Sequence, residues 1–207
     1  MEQKRKTKAV PKQNALVLLS FLMNAYDDYL AARTLLNHNL ILQGTILATT
    51  SIEKYFKAIL TFKGDTLKHT HNLKKLLPSI KSFDRTLYDK LDIAFLELID
   101  KSYNLRYIES APAGFKIDLS KRNILANLDY TISLLYDKMK VQNENGEHNK
   151  SKYQIDLESK REELITDNYL YNNLTKEEYL KGFDLGYQIN ITADKSFVEI
   201  HYHTNGQ

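Results

Sequence analysis

The chain has 207 residues, of which 43% are hydrophobic and 27% are charged. This balance is typical of a globular protein and excludes a disordered chain, and the length predicts one main domain with an extension, or two small domains. The absence of cysteine excludes disulfides, thiolate metal sites and cysteine nucleophiles. No apolar run approaches the roughly 20 residues of a membrane span, and the basic start has no signal-peptide core behind it. We therefore expect a cytoplasmic protein.

The net charge of +3 is unevenly distributed along the chain. Residues 1–12 carry five basic and one acidic residue, residues 13–140 carry seventeen and thirteen, and residues 141–207 carry seven and twelve. A basic front with an acidic end favours a nucleic-acid or phosphate partner for the first two parts. The alternative is a flexible lysine-rich tail over 1–12 beside an ordinary surface.

Five segments before residue 141 have apolar residues every three to four positions, which predicts amphipathic helices. The first helix has an apolar stripe from Leu18 to Leu36. The polar residues 37–39 are predicted to end it, because their side chains favour helix caps over helix interiors. The second is predicted over residues 40–63, and Gly64 ends it. We expect its buried residues to be Ile46, Ile52, Phe56 and Ile59.

The next two helices are bounded by polar residues. A short third helix is predicted to start near Asn72 and to be disturbed by Pro78. Asp84 is placed to cap a fourth helix, whose apolar stripe begins at Leu87 and ends at Leu105.

The last helix of this region follows a loop at residues 111–114, which contain proline and glycine. Asp118 or Ser120 starts it, and its apolar residues from Leu125 to Met139 have the spacing of helix-on-helix packing. The loops are short and no strand is predicted between the helices. Residues 13–140 are therefore predicted to form an all-α, antiparallel up-and-down bundle of four to five helices.

A polar linker is predicted over residues 141–152, followed by an acidic C-terminal extension over 153–207. Residues 153–188 have the pattern of short helical pieces, and Thr175 and Glu178 have the spacing of a capping box. Residues 197–203 alternate as one strand. A lone strand is not stable, so it must pair with another part of this chain, pair with another chain, or remain loose. The extension is thus expected to be a small α+β unit.

Four sequence fragments resemble the HEPN family (higher eukaryotes and prokaryotes nucleotide-binding) in order and spacing. They lie between Tyr26 and about Lys140: residues 28–33 (DYLAAR), 51–58 (SIEKYFKA), 71–77 (HNLKKLL) and 105–107 (LRY). The resemblance implies a bundle that often dimerises, with a polar groove near Arg106.

Many relatives in this family are metal-independent ribonucleases that carry an arginine followed, after four to six residues, by a histidine. Here no histidine follows Arg106 before His148, which lies in the predicted linker. RNA cleavage by a 2′-hydroxyl needs groups that accept and donate protons; histidine suits this task and arginine does not. The sequence looks more like relatives of an Arg-Tyr type, which stand alone or accompany a small nucleotidyltransferase.

Arg106 and Tyr107 are the first candidate site residues. The guanidinium of Arg106 is suited to a phosphate, or it satisfies the last carbonyls of its helix. Tyr107 is a candidate for stacking on a base, and the alternative is packing at the end of the bundle.

Three further candidates come from the second helix and the turn after it. Glu53 and Lys57 are four residues apart, as in an ordinary surface ion pair, while Lys57 facing the groove would contact a phosphate. His71 precedes a helix start, where anions bind, or it is a turn histidine bonded to backbone. Two closely spaced histidine pairs, at 69 and 71 and at 201 and 203, are too few ligands for a zinc site, and neither a metal nor a cofactor is expected.

The leading hypothesis is a non-catalytic module that binds nucleotide or RNA, or docks to a nucleotide-handling partner such as a nucleotidyltransferase in a toxin–antitoxin-like system. A homodimer is expected with it, and no membrane partner. Two alternatives stay open: a ribonuclease in which His71 is a displaced base, and a purely structural protein–protein interaction module.

Overall fold

The computed structural model describes residues 12–65, 70–107, 109, 111–139 and 150–204. In this part of the chain the helices are α1 (Lys12–Asn37), α2 (Ile41–Lys63), α3 (Leu77–Phe83), α4 (Arg85–Tyr88), α5 (Ile93–Asn104), α6 (Lys121–Lys138), α7 (Lys152–Glu158), α8 (Glu162–Ile165) and α9 (Lys176–Leu180). The strands are β1 (Lys116–Ser120), β2 (Asp184–Ile191) and β3 (Phe197–Thr204). The predicted fold class, a helical bundle with a small α+β part at its C-terminal end, is confirmed. None of the described helices has the length and apolar character needed to cross a membrane.

Helices α1 and α2 form a hairpin whose ends are set by local signals. Asn39, in the predicted break, has φ 62°, a left-handed conformation that asparagine tolerates. Gly64 ends α2 with φ 81°, which glycine adopts without steric cost. The buried face of α2 includes Ile52, Phe56 and Ile59 as predicted, whereas Ile46 is only partly buried.

The predicted third and fourth helices are each divided. Asn72 caps a 3₁₀ turn, Leu73–Lys75, and α3 follows it as a separate helix. The predicted disturbance fits this division: the 3₁₀ turn ends just before Pro78, which cannot donate a hydrogen bond to a continuing helix. Within α3 itself Pro78 lies in the first turn, where the missing N–H has no helical partner to lose. The fourth helix is interrupted between α4 and α5 because Asp92 caps α5 anew by accepting a hydrogen bond from the Phe95 N–H at 3.0 Å.

Strand β1 is a feature that the sequence prediction missed. It lies inside the predicted bundle region, directly before α6, where only a loop was expected. Its pairing partner, β2, is far away in the sequence: Ile117 lies opposite Ile189 and Leu119 lies opposite Tyr187. Of the two caps considered for α6, the structure selects Ser120, whose hydroxyl accepts the Asn123 N–H at 3.1 Å.

The three strands form one antiparallel sheet in the order β1-β2-β3. The predicted strand near the C-terminal end is β3, and it pairs with β2, another part of the same chain. The extension therefore has two strands instead of one, because β2 occupies residues that were predicted to continue the helical pieces. The capping box of Thr175 and Glu178 is confirmed at the start of α9.

One hydrophobic core joins the bundle to the extension. Five buried extension residues belong to the same cluster as the bundle core: Tyr153, Leu164, Tyr187, Ile189 and Ile191. The domain boundaries themselves stay predictions. The proposed basic tail, up to residue 11, and most of the proposed linker, residues 141–149, lie outside the described residues.

A buried arginine fastens the extension to the bundle. The side chain of Arg33, on α1, is fully buried and forms an ion pair with Asp129 of α6. Its Nε donates to the carbonyl oxygen of Glu163 at 2.8 Å, and a terminal nitrogen donates to that of Thr166. Tyr29 Oη donates to the same Asp129 carboxylate at 2.7 Å. Three segments of the chain, α1, α6 and α8 with the residue that follows it, thus meet around one guanidinium.

Candidate functional site

The five candidate residues come together beside the middle of α2, where α5 ends. Glu53 and Lys57 lie one turn apart on α2, and His71 lies in the segment before the 3₁₀ turn. Arg106 and Tyr107 lie in the turn that follows α5. Glu53 contacts both Lys57 and His71 directly. The ring of His71 packs near that of Tyr103, and Arg106 lies over Tyr103 and close to Tyr107. We call this group, together with Tyr103, the polar cluster.

Glu53 is the centre of the polar cluster. Its Oε1 accepts a hydrogen bond from Lys57 Nζ at 2.6 Å, and its Oε2 lies 3.2 Å from Nδ1 of His71. The residue is only 3% exposed. The predicted ion pair is therefore present, but it is not an ordinary surface pair, since Glu53 is buried and holds two partners at once.

The backbone around His71 is fixed by side chains on either side. Asp100 of α5 accepts a hydrogen bond from the Leu73 N–H at 3.0 Å, and Asn72 accepts one from the Lys75 N–H at 3.0 Å. Burial raises the pKa of Asp100, the backbone hydrogen bond opposes this rise, and the charge of Glu53 adds to it. The imidazole itself is 66% exposed, so its second nitrogen, Nε2, is accessible to a ligand. The alternative of a turn histidine bonded to backbone is wrong, because Nδ1 faces a carboxylate.

Arg106 lies flat on an aromatic ring at the end of α5. Its guanidinium carbon is 3.5 Å from the ring centre of Tyr103 and 5.5 Å from that of Tyr107. Its Nε donates to the carbonyl oxygen of Tyr103 at 3.1 Å, so the structure includes the predicted capping contact. The residue is nevertheless exposed, and no ion pair links it to a carboxylate of the described residues. The Nε and the contact with the Tyr103 ring are used for structure, while the residue as a whole remains exposed to solvent.

Tyr103 connects the two halves of the polar cluster, and the sequence prediction missed it. Its ring centre is 5.6 Å from that of His71, and the guanidinium carbon of Arg106 lies 3.5 Å from the same ring centre. Burial raises the pKa of Tyr103; the charge of Arg106 lowers it and that of Glu53 raises it again. The available signal was spacing: residues 100, 103 and 106 recur every three positions at the end of a helix, which places them on one side.

The electrostatics of the polar cluster favour an anion at Arg106. Glu53 already neutralises Lys57, whose side chain is largely covered. Arg106 presents its donors to solvent, and Tyr107 beside it is 60% exposed. Within the described parts of the chain, no group of three His, Cys, Asp or Glu side chains could hold a metal ion. The arrangement thus presents guanidinium donors next to an exposed aromatic ring, and a guanidinium is a group suited to a phosphate.

The fold is a helical bundle that carries the polar cluster beside α2. A family model of the HEPN domain matches residues 19–124, which is more than half of the chain. The chain belongs to the HEPN domain family, and this membership indicates a function related to nucleotides or RNA. The match contains all five candidate residues. Comparisons with curated proteins and with solved structures gave no match.

Proposed function

We propose that this protein is a non-catalytic module that binds a nucleotide or single-stranded RNA through the polar cluster. The observation that carries the proposal is the exposed guanidinium of Arg106, fixed flat on Tyr103 and not matched by a carboxylate of the described residues. A planar guanidinium binds phosphate through two parallel hydrogen bonds. Because its Nε is already used, Arg106 would approach the phosphate with its terminal nitrogens.

Each other candidate has a role that follows from its contacts. Tyr107 is exposed beside the guanidinium and would stack on the base attached to the phosphate. His71 would donate or accept one further hydrogen bond through Nε2. Glu53 orients His71 and Lys57, and its negative charge makes Lys57 a supporting residue instead of a primary phosphate contact.

The partners form the second part of this proposal. We propose that the module acts as a homodimer beside a nucleotidyltransferase, in a system of the toxin–antitoxin type, and that it works inside the cytoplasm. Support comes from the family to which the chain belongs and from the Arg-Tyr sequence at residues 106 and 107. Co-purification with the nucleotidyltransferase encoded beside it, where one is present, tests this part separately from ligand binding.

The direct experiment is binding of a fluorescent oligoribonucleotide to the full chain, measured by anisotropy. Arg106→Ala should weaken binding about 10-fold or more, since a hydrogen bond to a charged group contributes roughly 1.5–3 kcal/mol. It should also reduce the salt dependence of binding. Arg85→Ala is the matched control. Arg85 is an exposed arginine of α4, and its only ion pair among the described residues is a long one, with Nε 3.8 Å from the Asp89 carboxylate. Equal binding by both variants would remove Arg106 from the site, and no binding by the wild type at low salt would favour the structural module.

A metal-independent ribonuclease is the second candidate function, and one observation favours it. A buried carboxylate next to Nδ1 of an exposed imidazole orients that ring as in many catalytic bases. His71 would accept the proton of a 2′-hydroxyl as that oxygen bonds to the phosphorus and the bond from phosphorus to the 5′-oxygen breaks. A water molecule would then protonate the leaving 5′-oxygen. RNA cleavage by the purified protein that is lost in His71→Ala, but retained in His38→Ala, would establish this function. His38 is a suitable control because it is exposed and its Nδ1 lies 2.8 Å from the Thr34 carbonyl oxygen, one helical turn away, instead of facing a carboxylate.

A further inference from the structure

Strand β3 lies at an open edge of the sheet. It pairs with β2 along all eight residues without a bulge, and no other strand of the described residues lies on its far side. Seven of its eight residues are exposed, and only Tyr202 is partly buried. The strand thus extends beyond the core and carries a complete row of outward backbone groups.

This edge carries one charged residue, Glu199, but lacks the other features that usually prevent strand pairing. Natural edge strands are commonly short, or carry lysine, proline or a bulge. The sequence of β3, FVEIHYHT, contains no lysine and no proline, and it carries three exposed apolar residues, Phe197, Val198 and Ile200. By contrast, β1 at the opposite edge has only five residues and begins with Lys116.

The hydrogen bond at the β2–β3 turn shows which residues of β3 face outward. The Thr192 N–H donates to the Ser196 carbonyl at 2.9 Å. Because hydrogen-bonded pairs alternate along an antiparallel ladder, the even-numbered residues of β3 bond to β2. The odd-numbered ones point their N–H and C=O groups to the open edge: Phe197, Glu199, His201 and His203.

We propose that β3 pairs with β3 of a second copy of this chain, antiparallel across a two-fold axis, with Ile200 opposite Ile200. This register places Glu199 of each copy opposite His201 of the other, and Phe197 opposite His203. The two-fold axis thus creates two equivalent contacts between the Glu199 carboxylate of one copy and the His201 imidazole of the other. If the register shifts by one residue pair, the Glu199 carboxylates of the two copies face each other in one direction, and the two His201 imidazoles face each other in the other direction. Like polar side chains are then opposite each other, which is less favourable.

The internal contacts of the strand hold these side chains ready for pairing. Tyr187 Oη donates to the Glu199 carboxylate, and the Tyr187 ring centre is 4.8 Å from that of His201. The ring of His203 stacks on Phe183 at 5.0 Å. Both outward histidines and Glu199 are therefore ordered before a second copy arrives. This strand interface is separate from the polar cluster, so the inference does not depend on the proposed function.

The absence of cysteine from the chain allows a test that reads the register directly. Ile200→Cys in the full chain should form a covalent dimer under mild oxidation, since opposite residues of a non-hydrogen-bonded pair have Cα atoms about 4.5 Å apart, within the range of a disulfide. Val198→Cys is the register control: two copies of residue 198 would be offset by four positions, roughly 13 Å. Leu174→Cys is the exposure control, as Leu174 is 43% exposed and Ile200 is 41% exposed.

A covalent dimer formed by Ile200→Cys alone, seen on a non-reducing gel, would establish the pairing and its register. No crosslink at residue 200, or equal crosslinking at all three positions, would overturn it. Circular dichroism of the three variants shows that each is folded. A homodimer formed through the bundle would not produce this pattern, because the cysteine at 200 reports only on β3.

Discussion

Arg33 shows how a single buried charge can organise a chain. Three of its nitrogens are used: one by the carboxylate of Asp129 and two by backbone carbonyls of residues 163 and 166. A buried guanidinium is tolerated only when its donors are satisfied and its charge is paired. The partners come from α6 and from the loop around α8, so this residue holds the extension in place.

We expect Asp129→Asn to lower the free energy of unfolding by roughly 3–5 kcal/mol, because it leaves the Arg33 charge buried without a counter-charge. Urea denaturation followed by circular dichroism measures this loss. The control is Asp27→Asn, which breaks an exposed ion pair with Lys152; such pairs contribute at most about 1 kcal/mol. Similar losses in the two variants would show that burial of the Arg33 pair is not what stabilises this joint.

At the same scale, the sequence indicated which polar residues lie together better than it indicated their environments. The resemblance and the residue types selected Glu53, His71 and Arg106, and the structure places them together. The burial of Glu53 was not predictable, because the i, i+4 spacing with Lys57 is the same for a surface pair. Burial depends on what packs over α2, and those segments are distant in sequence.

Among the secondary-structure elements, α3, α4 and α6 are joined by one carboxylate. Asp84 ends α3 and caps α4, where it accepts the Leu87 N–H at 2.9 Å. It also accepts a hydrogen bond from Lys138 of α6 at 2.6 Å. Burial alone would raise the pKa of Asp84, but the hydrogen bonds from Lys138, Thr86 and Leu87 hold that pKa well below its ordinary value of 3.8.

The pKa of Asp84 is lower in the folded state than in the unfolded state, where it is near 4. The ionised carboxylate therefore stabilises the fold at any pH above about 4. This stabilisation decreases as the pH falls below about 4 toward the folded-state pKa. We expect Asp84→Ala to destabilise the protein by about 1–2 kcal/mol at pH 7, as caps do, and by less at pH 3. Asp84→Asn keeps a capping oxygen and should lose less at pH 7. Urea unfolding at both pH values measures these differences. A variant deficit that is unchanged between pH 7 and pH 3 would contradict the role of the charge.

For the molecule as a whole, the central question is whether the bundle is stable without the extension. The extension contributes β2, the only described partner of β1, and five side chains to the common core. Each large buried apolar side chain contributes roughly 1.5–3 kcal/mol, and whole domains are stable by only about 5–15 kcal/mol.

We therefore expect a chain that ends at residue 140 to lose cooperative unfolding. A chain that ends at residue 196 lacks only β3 and the residues after it, and none of the β3 residues belongs to the core cluster. The chain that ends at residue 196 should therefore keep most of the stability of the full chain. Thermal unfolding followed by circular dichroism compares the two. If the first truncation melts as cooperatively as the full chain, the bundle is an independent domain.

The sequence by itself determined the helical class of this protein and those boundaries that depend on neighbours a few residues apart. The break after Asn37, the stop at Gly64, and the caps at Ser120 and Thr175 were all predictable. Their hydrogen bonds connect positions only three or four residues apart, so the residue types suffice to indicate them.

Only the tertiary structure decided which segments meet. Strand β1 exists because β2 lies beside it, about seventy residues later in the chain, and Arg33 is buried because the extension supplies two carbonyls more than a hundred residues away. Pairing of strands and burial of charges depend on partners that local sequence does not specify. The same reason applies to β3, whose alternation predicted a strand while its open edge became visible only once the sheet was formed.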